Sequence, residues 1–127
     1  MTKSVSLVSS KKDVRNKLID IQRNLAIGSN VVLDGRDIGT TVFPNAEYKF
    51  FLSAEVEVRA KRRYSELSEE QRSKVSYLDI CRMIEERDEI DCNRKYSPLV
   101  KADDAVSIDT THLSLDEQVK KLVNFIK

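Results

Sequence analysis

Val31-Val32-Leu33-Asp34-Gly35-Arg36-Asp37-Ile38-Gly39-Thr40 is the stretch whose reading decides the fold. An apolar run gives way at once to Asp-Gly-Arg-Asp, and a second glycine follows. Such a run bounded by glycine predicts a parallel strand, about 30–34, entering a sheet core. The charged residues then fall at the strand's C-terminal end, the edge where open α/β sheets bind ligands. Arg36 offers a planar fork to a phosphate. Asp37 can accept from a hydroxyl or an amino group, or help hold a cation. An ordinary charged turn after a strand is the competing reading.

Upstream, Ser10-Lys11-Lys12-Asp13 resembles a capping box that opens a helix. Val14, Leu18, Ile21 and Leu25 follow at helical spacing and predict its buried face, with Gly28 as the stop. Arg15 stands on the first turn beside that face, either as a solvated charge or as part of a site. Downstream, residues 40–43 predict a short helical turn ended by Pro44. Tyr48–Leu52 reads as a second strand. A helix is expected from Ser53-Ala54-Glu55 to about Leu67, acidic early and basic late, as the helix dipole favours. Arg59, Lys61, Arg62 and Arg63 crowd one end of it, as a solvated face or as feeders of a polyanion site. Residues 68–75 are polar and unpatterned, which predicts an exposed, mobile connection that suits either a lid or a plain surface loop.

The next helix is the most informative. Ser76-Tyr77-Leu78-Asp79 forms a second capping box. Tyr77, Ile80, Ile84, Arg87, Asp91 and Arg94 recur at steps of three and four, so one stripe begins apolar and ends charged. A core face that finishes in Arg, Asp and Arg predicts a polar site or a buried ion network. Arg87 and Asp91 alone could instead be an internal i,i+4 pair, with Asp88 beside them. Ala105–Ile108 reads as a third short strand. Leu113–Phe125 closes the chain as an amphipathic helix capped by Ser114 or Asp116, with Leu115, Val119, Leu122 and Ile126 inward. Alternating strands and helices define an α/β fold with a mainly parallel sheet.

Composition narrows the functions. The 127 residues suit one domain, 34% of them are charged, and the net charge of +1 argues against a general nucleic-acid or membrane-surface binder. No apolar stretch approaches the roughly 20 residues of a membrane span. The N-terminus has no long apolar core of a signal peptide, so a cytoplasmic setting is expected. Cys81 and Cys92 fall on one helix about 16 Å apart, too far for a disulfide. His112 is the only histidine, which leaves little for a zinc site or a histidine-based triad. What remains is an excess of arginine. If Arg15, Arg36, Arg87, Arg94 and the Arg59–Arg63 cluster converge, they make a pocket for a compound carrying several phosphates, as phosphoryl transfer requires. None of the glycines, Gly28, Gly35 or Gly39, lies in a Gly-x-x-x-x-Gly-Lys-Ser/Thr phosphate cradle.

At these residues the sequence resembles bacterial cytidylate kinase, which moves the γ-phosphate of ATP to CMP or dCMP. Asp34-Gly35-Arg36-Asp37-Ile38-Gly39-Thr40-Thr41-Val42-Phe43-Pro44 is similar to that family's Asp-Gly-Arg-Asp-hydrophobic-Gly-Thr-x-Val-Phe-Pro block. Arg59-Ala60-Lys61-Arg62-Arg63-Tyr64 resembles the start of its lid. Glu86-Arg87-Asp88 through Asp91, Asn93 and Arg94, then Pro98-Leu99-Val100, resembles its Glu-Arg-Asp-x-x-Asp-x-x-Arg segment, and Asp109-Thr110-Thr111 with the last helix fits its C-terminus. Ile90 and Cys92 depart from the charged residues common there.

The resemblance implies that Ser6, Arg15 and Asp37 contact the CMP nucleoside and that Arg36, Arg87 and Arg94 contact the transferring phosphates. Arg36 thus belongs to both the substrate and the catalytic sets. Asp91 would lie near the pyrimidine nucleotide. Arg62 and Arg63 would close over ATP, with Mg2+, from a lid at about 62–76. No protein metal-ligand set, nucleic acid or membrane partner is implied. Residues 1–127 would be the C-terminal part of a cytidylate kinase domain: an incomplete P-loop nucleoside-monophosphate-kinase fold lacking the N-terminal P-loop strand. That strand would lie between those matching Val31–Leu33 and Tyr48–Leu52, which must otherwise pair directly or leave unsatisfied edges. Low stability and little kinase activity are therefore expected of this polypeptide alone. The alternatives are a non-catalytic remnant that binds a pyrimidine nucleotide, or a fragment complemented by a chain that supplies the N-terminal part. A generic α/β protein with chance charge placement is the third.

Overall fold

The computed structural model describes residues 7–9 and 11–126. In chain order the described elements are α1 (Lys12–Leu25), a π-helical turn (Ile38–Val42), β1 (Phe50–Ser53), α2 (Val56–Ser65), α3 (Glu69–Arg72), α4 (Tyr77–Asn93), β2 (Val106–Asp109) and α5 (Leu115–Val123). β1 and β2 pair in parallel, with Phe50 opposite Val106 and Ser53 opposite Asp109. The ladder runs on past both ends: Val106 N–H donates to the Lys49 carbonyl at 2.9 Å, and Thr110 N–H to the Ser53 carbonyl at 2.8 Å. Parallel strands need a long crossover, and α2, α3 and α4 supply it.

The core sits where α2 meets α4. Ala60, Ile80 and Ile108 are buried, and the Tyr64 and Tyr77 rings meet edge-on at 6.3 Å. α4 starts at the expected capping box, Ser76 with Asp79. Its stripe holds: Ile80, Asp91 and Arg94 are buried, and Tyr77, Ile84 and Arg87 are partly covered. α5 starts at Ser114, boxed with Glu117. Cys81 and Cys92 are free thiols on α4, and His112 is exposed.

Four expectations are corrected. The strand at 30–34 does not form. Val31–Leu33 is irregular, and Val32 is 98% exposed. A strand needs a neighbouring edge, and among the described residues the sheet holds only β1 and β2; the run does not pair with Tyr48–Leu52. The α1 face is also rotated. Leu18, Ile21 and Leu25 are exposed, whereas Arg15 and Ile19 are buried and Gln22 half-buried. α1 is held by polar bonds to the π-turn: Arg15 pairs with Asp37, and the Arg23 guanidinium donates to the Val42 and Thr41 carbonyls at 2.9 and 2.8 Å. Polar ties thus face this helix inward on its arginine side. Its N-cap is Lys11, without a side-chain bond; Ser10 lies outside the described residues.

Residues 68–75 are not an unpatterned connection. Ser68 and Gln71 form a capping box that opens α3. Arg72 then ties back to the Tyr64 and Ser65 carbonyls at 3.2 and 2.9 Å and lies over the Tyr64 ring. Finally, α5 buries less than its pattern predicts. Leu115, Val119 and Ile126 are exposed, and Leu122 is partly covered. Phe125 packs edge-on against Phe50 at 5.8 Å, and this fixes the helix over the sheet. No helix among the described residues is long and apolar enough to cross a membrane.

Candidate functional site

The Asp-Gly-Arg-Asp segment ends in the π-helical turn, and that turn aims its charges. The Asp37 carbonyl accepts from both Thr41 and Val42 N–H, at 2.8 and 3.1 Å, and the Ile38 carbonyl from Phe43 N–H at 2.7 Å. A widened turn of this kind is common at functional positions. It leaves the Asp37 side chain buried and paired with Arg15 from α1. Gly35 sits in close quarters: a Cβ there would come within 2.9 Å of Ile38 Cγ1.

Arg36 crosses to α4. Its Nε donates to Asp91 Oδ2 at 3.0 Å. Asp91 also faces Arg87 Nε at 3.6 Å and Arg94 Nη1 at 3.5 Å. One buried carboxylate therefore gathers guanidinium groups from the loop, from α4 and from Arg94, which ends that helix. Past the helix the chain folds back and locks this arrangement. Arg94 Nε donates to the Ser97 carbonyl at 2.6 Å, and Leu99 N–H to the Asp91 carbonyl at 2.8 Å. Ser97 takes a left-handed conformation, φ 51°, to make that reversal.

These side chains surround a pocket of about 160 Å3 that also touches Gln22. Four arginines against two aspartates line it, which leaves an excess of two positive charges. Burial pushes the Arg94 pKa down, and the neighbouring Arg15 guanidinium adds to this against the pull of Asp91 and Asp37. The guanidinium nevertheless stays charged, as arginine does in proteins. Arg15 Nε and Arg94 Nη2 are buried donors without a hydrogen-bond acceptor, and Gln22 Oε1 is a buried acceptor without a donor. Excess cationic charge with idle donors is the electrostatic complement of a polyanion such as a phosphate.

The segments that carry these residues are those that resemble one family, and comparison settles membership. A family model described as cytidylate kinase matches residues 1–127. The chain belongs to the cytidylate kinase family. It is 52% identical over 127 residues to the cytidylate kinase of Halalkalibacterium halodurans, covering 100% of this chain and 57% of that protein. Against the cytidylate kinase of Clostridium tetani the identity is 51% over 127 residues, covering 100% and 56%. Against that of Fusobacterium nucleatum it is 47% over 126 residues, covering 99% and 56%. The chain thus spans a little over half the length of these curated relatives.

Of the residues singled out by the cytidylate kinase resemblance, Arg15, Arg36, Asp37, Arg87, Asp91 and Arg94 come together at the one pocket. Arg62 and Arg63 do not join it. Arg62 is fastened to the loop after β2, donating to the Thr110 carbonyl at 2.6 Å and to Thr110 Oγ1 at 3.2 Å. Arg63 pairs on the surface with Glu66 at 3.2 Å. Arg59 bonds to Asp88 at 2.5 Å, outside the pocket lining. Ser6 lies outside the described residues. Sequence reasoning passed over Gln22 and Arg23. The signal for Gln22 was its place one helical repeat, seven residues, after Arg15 on the face that α1 turns inward.

Proposed function

We propose that this chain carries the nucleoside-monophosphate side of a cytidylate kinase-type phosphotransfer, from ATP to CMP or dCMP, in a cytoplasmic setting. In that reaction a phosphate oxygen of the monophosphate attacks the γ-phosphorus of ATP. The bond from that phosphorus to the β–γ bridging oxygen breaks, and the electron pair leaves with ADP. The attacking oxygen already carries negative charge, so positioning and charge neutralisation are the main demands on the protein. Arg36, Arg87 and Arg94 neutralise the phosphate oxygens. Asp91 holds those guanidinium groups in one orientation. Arg15 and Asp37 face the nucleoside, and Ser6 joins them.

ATP would bring Mg2+, and the ion would supply charge neutralisation at the transferring group. Among the described residues no three His, Cys, Asp or Glu side chains cluster. Asp37 and Asp91 are engaged by arginine, so on this reading they serve to position guanidinium groups. Arg62 and Arg63 close over ATP only by leaving Thr110 and Glu66.

The single observation that carries the proposal is the convergence of four arginines on one small pocket with unpaired buried donors. Calorimetry with CMP tests it. CMP binding that Arg36→Ala and Arg94→Ala each weaken is expected, and affinity unchanged by both would overturn it. In an assay with ATP, magnesium and CMP this polypeptide alone is expected to turn over little or not at all. Turnover at the rate of ordinary kinases would overturn that part.

A second reading, a fragment complemented by another chain, is favoured by the unpartnered apolar residues of α1 and of Val31–Val32. Mass in solution separates the two. A folded monomer that binds CMP tightly favours the self-contained module.

A further inference from the structure

We infer that Lys49 is a positioning residue for the nucleotide site: its ammonium clamps the exit of the π-helical turn and so sets where Arg36 and Asp37 point. The inference rests on the nucleotide-site reading above. Lys49 lies outside the pocket lining, immediately before β1, and its side chain is only 6% exposed. A buried ammonium needs partners, and Lys49 finds them on two segments. Nζ donates to the Pro44 carbonyl, just past the turn, and to the two Asp104 carboxylate oxygens at 2.9 and 2.7 Å. Its aliphatic stem lies against the turn itself, where a Cβ on Gly39 would stand 3.4 Å from Lys49 Cδ.

The carbonyls that end a helical turn have no partner within it and attract cationic donors. Two cations divide them here: Arg23 of α1 takes Thr41 and Val42, and Lys49 takes Pro44. The backbone of Lys49 is meanwhile fixed in the sheet, because its carbonyl accepts from Val106 N–H at 2.9 Å. One residue thus registers the turn against the sheet, with its main chain in the ladder and its side chain on the turn. The exit of the turn is tied to its entrance, since the Asp37 carbonyl accepts from Thr41 and Val42 N–H. Arg36 enters there and reaches Asp91 Oδ2 with Nε at 3.0 Å. A small displacement of the turn weakens that bond steeply, and a binding group is held only as exactly as its supporting residues hold it.

The test is NMR of the Arg36 and Arg94 Nε–H groups in the 127-residue chain, with calorimetry against CMP and inorganic phosphate. The two signals separate position from stability. Arg36 Nε donates from the turn to α4, whereas Arg94 Nε donates to the Ser97 carbonyl beyond that helix. Lys49→Met keeps a stem over Gly39 and removes the ammonium. It should shift the Arg36 Nε–H signal and speed its solvent exchange, leave Arg94 Nε–H unchanged, and weaken CMP binding roughly three- to tenfold, as loosening one hydrogen bond is worth. Lys49→Arg restores a cationic donor and should recover the Arg36 signal and most of the affinity. Lys49→Gln, with a neutral donor, should give the same one-sided change at smaller size, and it decides the matter where Lys49→Met does not fold. Both signals moving together in the folded variants, or neither moving, would overturn the inference while leaving the nucleotide site standing. Binding of neither CMP nor phosphate by the unaltered chain would instead overturn the site reading, and Lys49's role at it, while the Arg36 signal still reports whether the clamp holds the turn.

Discussion

Asp91 holds Arg36, Arg87 and Arg94 with one carboxylate. Arg94 depends on it most, because its side chain is only 3% exposed, and a buried charge that loses its partner is strongly destabilising. Asp91→Ala should therefore cost about 3 kcal/mol in urea unfolding. The same variant should gain more from added sulfate than the unaltered chain, since sulfate replaces the missing negative charge. A variant with equal stability and an equal sulfate response would contradict this account. Asp79 is held below the usual carboxylate range by the Ser76 hydroxyl and N–H, Asp109 by the Thr111 hydroxyl and N–H, and Glu117 by the Ser114 N–H and hydroxyl. Each folded pKa lies below its unfolded value, so each contribution is complete above that value, about 4, and is lost as pH falls through the folded one. The urea midpoint should thus show no pH dependence from these groups between about pH 5 and 7, where their contribution is complete, and should decline below about pH 4. Thr111→Ala should flatten part of that decline.

Elements divide by whether local chemistry or a neighbour sets them. The helix starts at Ser76 and Ser114 are local, each a reciprocal box; the first was legible as Ser-x-x-Asp spacing, and the second was left between Ser114 and Asp116. Ser76→Ala and Ser114→Ala should each cost about 1 kcal/mol by denaturant titration. Gly28 ends the turn after α1 at φ +72° with open space around it. Gly28→Ala should cost about 1 kcal/mol for conformation alone, read as a lower unfolding midpoint with unchanged nucleotide affinity. The 68–75 segment was also local, and its Ser-x-x-Gln box was the legible sign that polarity obscured. Val31–Leu33 and the face of α1 were not local. An apolar run becomes a strand only beside another strand's free groups. The helix turned its arginine side inward because Arg15 and Arg23 bond the π-turn.

Across the whole molecule, the buried hydrophobic side chains are Ile19, Val42, Ala60, Ile80 and Ile108 among the described residues, while Val32, Leu25, Ile27 and Leu115 stand more than 70% exposed. So small a core is marginal for a chain of this length. We expect a low urea midpoint, a broad transition and binding of a hydrophobic dye, with a partner that covers α1 raising the midpoint, sharpening the transition and displacing the dye; a sharp transition at high urea without dye binding would refute this. The sequence by itself determined the family, the pairing of an apolar start with a charged finish on α4, the capping box of α4 and, through the family resemblance, the charged residues that line the pocket, because side-chain spacing on a helix, short polar boxes and ordered motifs are read along the chain. Tertiary structure alone decided that Arg36 reaches Asp91 across 55 residues, that Gln22 stands idle in the same wall, that Arg62 turns to Thr110, and that Val31–Leu33 forms no strand. Those outcomes depend on which neighbour offers a charge, an edge or a carbonyl, and a linear pattern carries no record of the neighbour.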